Sequence, residues 1–265
     1  MNIYWQEMKM SVRSMIAWTL GMLLVLLFFM FMFSAVSKDV ALINQIASKF
    51  PPEVVRALGL SSLDLSTVLG FYGYVFMFIL LVAAVYALKS GISALSEEIR
   101  AKTADFLVSK PVTRTTIVTA KIMSVITLIV LQIIIYIAGA FIITQIVANQ
   151  YFDKSTFLLI NLSLFLVELF FIALGLLLSV IIKRIKTVLP IALGIVFGFW
   201  ILQMLNQSLA DKTLAYLTPF AYFDVARIIA TGSYETAYLI SDVVLIAAFT
   251  VLTYIIYQRK DMPSV

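Results

Sequence analysis

Apolar residues run along this chain in long unbroken stretches, and the polar residues collect between them. A helix that crosses a bilayer needs about 20 mostly apolar residues. Six windows meet that length, at about residues 16–36, 67–88, 117–147, 156–182, 188–206 and 238–257. In lipid every backbone polar group has to be satisfied within its own segment, so runs this long predict helices. The third and fourth windows are long enough to tilt or to project beyond the bilayer. The expected fold class is all-α: a polytopic membrane protein with six transmembrane helices, forming one domain over residues 1–265.

The connecting segments predict further elements. In MNIYWQEMKMSVRSM, residues Ile3, Tyr4, Met8 and Val12 share one helical face. This predicts an N-terminal interfacial helix over about residues 1–15, with Trp5 at headgroup level. The competing reading is a plain extension of the first span. That span's apolar core exceeds the roughly 7–15 residues of a signal peptide, which predicts a retained helix. Pro51 and Pro52 are placed to start a short helix in PPEVVRALGL. Between the fifth and sixth windows, LTPFAYFDVARIIATG keeps enough apolar residues to predict a re-entrant helical segment.

Charge sets the expected orientation. Of the 19 Lys and Arg residues, 13 fall on the side of the two termini, including Lys9, Arg13, Lys89, Lys121 and Arg259. The richer side is expected to be the cytoplasm, with both termini inside. Composition agrees: 63% of residues are hydrophobic and 12% charged, and mean hydropathy is +1.07. Soluble domains hold roughly 45–50% apolar residues. Cysteine and histidine are both absent, which excludes disulfides, thiolate metal sites and the commonest general base.

One segment breaks the apolar pattern. EEIRAKTADFLVSKPVTRTTIVTAKI, from Glu97 to Ile122, concentrates charges of both signs between the second and third windows. At 100° per residue Leu95, Ile99 and Phe106 share an arc, while Glu97, Glu98, Arg100 and Asp105 point elsewhere. Glu98 and Lys102 stand at i,i+4 with the acid first, the favourable order. Pro111 ends the helix near Ser109, and Thr113 is placed to cap the next one. A solvated loop and a helix resting on lipid are the plain alternatives. Mixed charge suits a protein partner better, because complementary charges fix register.

This region resembles the hallmark of type-2 ATP-binding cassette (ABC) transporter permeases. The resemblance is carried by Glu97, Glu98, Arg100, Leu107, Pro111, Val112, Thr113, Arg114 and Lys121. Ala101 and Asp105 depart from it, standing where members often have Gly and Glu. The resemblance extends to PPEVVRALGL and to LTPFAYFDVARII, and so over most of the chain. It implies the transmembrane subunit of an exporter, in the cell membrane, whose coupling helix (about residues 91–116) docks on a separate cytoplasmic ABC ATPase. Two ATPase subunits and a second permease copy or paralogue are implied, and no nucleic acid. The chain has no GxxxxGK[ST] phosphate loop, so ATP and Mg are expected on the partner and no cofactor on this chain. Glu97, Glu98, Arg100, Lys102, Asp105, Phe106, Leu107, Pro111 and Arg114 are the candidate ATPase-coupling residues, with Phe106 and Leu107 as apolar anchors. Pro219, Tyr222, Asp224 and Arg227 resemble the family's pattern between its last two spans, which implies a re-entrant external gate; a plain capped interfacial helix is the alternative, and Asp224 and Arg227 are spaced to pair.

Within the spans, Glu168 stands near the middle of the fourth. A charge at mid-bilayer costs roughly 2.5–3.5 kcal/mol on insertion scales, so it is expected to face the bundle. It is either a cargo-path contact or a buried hydrogen bond to Gln132 of the third span. Asp242, Gln203 and Asn206 are expected at the outer interface, hydrated. Two other functions compete. A membrane-embedded lipid-modifying enzyme needs clustered catalytic groups, and an ion-coupled secondary carrier normally has more intramembrane ionisable residues.

Overall fold

Each of the six apolar windows forms one helix. The computed structural model describes residues 3–36, 45, 48–60, 62–100, 113–148, 151–182, 185–209 and 211–259; the side chains of 34–36, 98–100, 148 and 212 lie outside that description. The long helices are α1 (Ile3–Val36), α3 (Val68–Arg100), α4 (Arg114–Ala148), α5 (Lys154–Ile181), α6 (Leu189–Leu209) and α10 (Thr236–Arg259). All six are long and apolar enough to cross a membrane, and the described residues hold no strand. Between α1 and α3 lies the short α2 (Pro52–Ala57), begun by Pro51 and Pro52 as expected. Between α6 and α10 come α7 (Lys212–Ala215), α8 (Pro219–Tyr222) and α9 (Val225–Thr231).

Local chemistry marks the helix ends. Thr113 starts α4, its Oγ1 accepting from the Thr116 amide at 3.2 Å. Asp153 starts α5, its carboxylate accepting from the amides of Ser155 and Thr156. The Thr156 and Ser155 hydroxyls also bond it, and hold its exposed carboxyl down at about 2. The cap therefore remains a carboxylate down to strongly acidic pH. Gly232 closes α9 at φ 64°, a left-handed turn that glycine adopts without Cβ strain.

Helices α3 and α5 form the core. Two thirds of each apolar window is buried, against 17% for α6 and 11% for α10. Glycine makes that pairing possible: a Cβ on Gly91 would lie 2.4 Å from the Ile172 carbonyl oxygen, and one on Gly175 would lie 2.6 Å from that of Leu88. The two backbones touch directly, as small residues allow in membrane bundles. Helix α1 packs on α4, α10 on α5, and α6 on α3 and α2. Phe220 of α8 sits 5.4 Å from Phe171 of α5 and 5.3 Å from Trp200 of α6, so the α7–α9 segment folds back onto the long helices.

The chain start differs from its expected form. No break separates an interfacial helix from the first span, and α1 runs continuously from Ile3. Its polar side chains are taken up by α4: the Tyr4 hydroxyl donates to Thr127 Oγ1 at 3.1 Å, and Lys121 binds Glu7. With those partners in place, nothing turns the helix into the membrane plane.

Candidate functional site

At one end of the bundle the basic residues gather. Lys121 is fully buried and donates to the Glu7 carboxylate at 2.6 Å. Lys89 donates to Ser14 Oγ at 3.0 Å and lies 5.9 Å from the centre of the Trp18 ring. Arg114 donates to the Gln258 carbonyl oxygen at 3.1 Å. These bonds link the start of α1, the later half of α3, the start of α4 and the end of α10, so the first turns of α1 and the last of α10 share this basic end. A cavity of about 210 Å³ opens among Glu7, Ser14, Lys89, Ser90 and Glu97.

The charged segment between α3 and α4 leaves from this end. Of its expected coupling residues, Glu97 is half-buried at the end of α3 and Arg114 begins α4. The side chains of Glu98 and Arg100 lie outside the described residues, as do Lys102, Asp105, Phe106, Leu107 and Pro111.

Mid-bundle, Gln132 and Glu168 meet as the pairing reading expects. The Gln132 amide donates to Glu168 Oε1 at 2.5 Å, and both side chains are fully buried. Gln132 Oε1 and Glu168 Oε2 have no partner among the described residues. A second polar group was not foreseen: the Tyr72 hydroxyl donates to Asn161 Oδ1 at 2.6 Å and lies 3.4 Å from that of Tyr136. The hint in the sequence was that Tyr72, Tyr136 and Asn161 each interrupt an apolar run on neighbouring helices. For the Gln132–Glu168 pair, Glu168→Gln keeps an acceptor for the Gln132 amide and should leave the thermal midpoint of purified protein unchanged. Glu168→Leu strands that amide and should cost about 1–3 kcal/mol. Equal midpoints for the two variants would dismiss the bond as a structural contributor.

The opposite end holds a larger cavity, of about 390 Å³, lined by the end of α6 and by the α7–α9 segment. Pro219 and Tyr222 are buried in α8, and the Tyr222 hydroxyl donates to the Tyr216 carbonyl oxygen at 2.8 Å. Burial, and then the charge of Asp242, push the Tyr222 phenol up to about 12. The expected Asp224–Arg227 ion pair does not form. Asp224 instead caps α9, accepting from the Ala226 amide at 3.1 Å, and Arg227 forms its ion pair with Glu235. A carboxylate at the N-cap is occupied by the helix amides, whereas Glu235 is free to reach the arginine.

Asp242 and Gln203 also differ from expectation. Both are buried rather than hydrated at an interface. Both carboxylate oxygens of Asp242, together with the Oε1 atoms of Gln203 and Gln207, lack partners among the described residues. Their inward orientation depends on which face of α6 and α10 meets the neighbouring helices, and hydropathy along one chain does not encode that.

Among curated proteins no match to the chain is found. A sequence model of the family described as ABC-2 family transporter protein, by contrast, matches residues 1–262. That match runs through all six long helices and both clusters of polar residues at the bundle ends. The chain is a multi-pass membrane protein and belongs to the ABC-2 transporter family.

Proposed function

We propose that the chain is the permease subunit of an ATP-driven exporter, with its charged segment docking on a separate cytoplasmic ATPase. The observation that carries this reading is where the segment is anchored. It joins α3, the most buried of the long helices together with α5, to α4, and the bonds of Lys121, Lys89 and Arg114 tie its surroundings to α1 and α10. A push delivered there reaches the whole bundle through packed side chains, which are poorly compressible.

In this reading Glu97, Glu98, Arg100, Lys102, Asp105 and Arg114 set the register of docking, Phe106 and Leu107 anchor it, and Pro111 shapes the turn. Two ATPase subunits, each with ATP and Mg, serve two permease copies in the plasma membrane. The excess of Lys and Arg at the end that holds the start of α1 and the end of α10 supports a cytoplasmic location for that end. Pro219, Tyr222, Asp224 and Arg227 belong to a re-entrant external gate at the other end. Export then proceeds by shifting the bundle between inward- and outward-open populations.

Reversing one docking charge or removing an anchor tests the reading. Glu98→Lys and Phe106→Ala should insert normally, lose co-purification of the cytosolic ATPase, and leave hydrolysis uncoupled from transport. Both variants retaining the partner and full coupled transport would refute the docking assignment.

A further inference from the structure

The cavity at the basic end sits where two apolar runs stop. Ser14 precedes the first run, which begins at about residue 16, and Lys89 follows the second, which ends at about residue 88. The Lys89–Ser14 bond holds these two positions side by side, so the cavity lies at the level where hydrocarbon gives way to headgroups. Its volume of about 210 Å³ is far more than the roughly 10–15 Å³ that one water needs. Ser11 and Ser14 of α1 and Lys89, Ser90 and Ser93 of α3 line it, and each keeps part of its surface exposed. Val125 and Leu128 of α4 supply its apolar floor.

The charges of the lining are layered. Lys89 brings an ammonium group to the apolar boundary, bonded to Ser14. Glu97 also lines the cavity and stands eight positions later on α3, about 12 Å further from the apolar run at 1.5 Å per residue. Glu7, the other acid in the lining, is matched by Lys121 at 2.6 Å. What remains is a cation at the boundary and an anion outside it, a neutral sum with a direction. A zwitterionic phospholipid is complementary to that order, with its phosphate next to the acyl chains and its ammonium group further out. Lysine binds phosphate as a point charge, and a carboxylate takes an ammonium group through short N–H bonds. Serine hydroxyls add donors for the phosphate oxygens.

We propose that this cleft holds the headgroup of a phosphatidylethanolamine molecule from the leaflet at the basic end. The phosphate meets Lys89 and the serine hydroxyls, the ammonium group points toward Glu97, and the glycerol end rests on Val125 and Leu128. A headgroup of net negative charge would set that charge against Glu97, and a quaternary ammonium has no N–H to give it. The lipid is thereby seated at the root of the charged segment. The inference concerns equilibrium binding to the purified chain and is independent of the ATPase-docking proposal.

The test is native mass spectrometry of the full-length protein, stripped of lipid in detergent. It is titrated with phosphatidylethanolamine, phosphatidylglycerol, phosphatidylcholine and diacylglycerol of the same acyl chains. A tight phosphatidylethanolamine adduct is expected, with several-fold weaker adducts of the other two phospholipids and none of diacylglycerol. Lys89→Met should weaken the phosphatidylethanolamine adduct by about tenfold or more, the loss of one charge-assisted contact. If that variant does not purify as a monodisperse species, Glu97→Gln decides in its place and should abolish the preference over phosphatidylglycerol. Soluble glycerophosphoethanolamine has the same charges without acyl chains and should displace the lipid only in large excess. Equal retention of phosphatidylethanolamine and phosphatidylglycerol, a diacylglycerol adduct of the same strength, or displacement by equimolar glycerophosphoethanolamine would overturn the proposal. So would a variant that binds as the wild type does.

Discussion

Gly91→Val is expected to abolish the folded protein, while Gly21→Ala leaves it intact. A Cβ on Gly91 would meet the Ile172 carbonyl oxygen at 2.4 Å and the Gly175 Cα at 3.1 Å. These are backbone atoms, so no rotamer change relieves the clash, and α3 must move away from α5 along the most buried contact in the bundle. Overpacking a well-filled core costs about 1–3 kcal/mol when side chains can adjust, and here they cannot. We expect a loss above about 3 kcal/mol, seen as aggregation on size exclusion in mild detergent. Gly21 has nothing within 4 Å of its built Cβ, which makes alanine there a matched control. Wild-type thermal midpoints for Gly91→Val would contradict the backbone contact itself.

The second large effect is expected at Lys121. Its ammonium group is buried in α4 and held by Glu7 of α1, whose side chain is 13% exposed. Removing one partner of a buried pair leaves a stranded charge and costs about 3–5 kcal/mol, whereas removing both is far milder. Lys121→Met should therefore lower the thermal midpoint strongly, and Glu7→Leu added to it should restore much of the loss. The coupling read from the cycle is expected at about 1–3 kcal/mol. Additive effects of the two substitutions would mean that α1 and α4 are held together without this pair.

The six long helices were legible from sequence because their cause is local: length and apolarity along a single run decide them. Helix-start signals were legible for the same reason at Thr113, Pro51 and Pro52. Pairings across the bundle were legible only where a span holds very few polar groups, as with Gln132 and Glu168. Lys121 and Glu7 are 114 positions apart, and their bond depends on α1 crossing α4 at one register. For that reason the chain start read as an interfacial helix rather than as part of α1. Asp224 and Arg227 show the opposite error, where a tempting i,i+3 spacing lost to a helix cap and to Glu235. The resemblance carried by Glu97–Lys121 reached the family, which the match over residues 1–262 bears out. The burial of Asp242 had no local signature, because it is a property of how α10 is rotated.

The contact between Gly91 and Gly175 leaves α3 and α5 no room to move against each other there. It lies close to the end of α3 from which the charged segment departs, and it leaves no gap for one helix to slide past the other. Backbone packed against backbone makes the two helices move as one rigid pair at this level. A force tilting this pair would pass first to α6 and α10, which pack on its two members and are the least buried of the long helices.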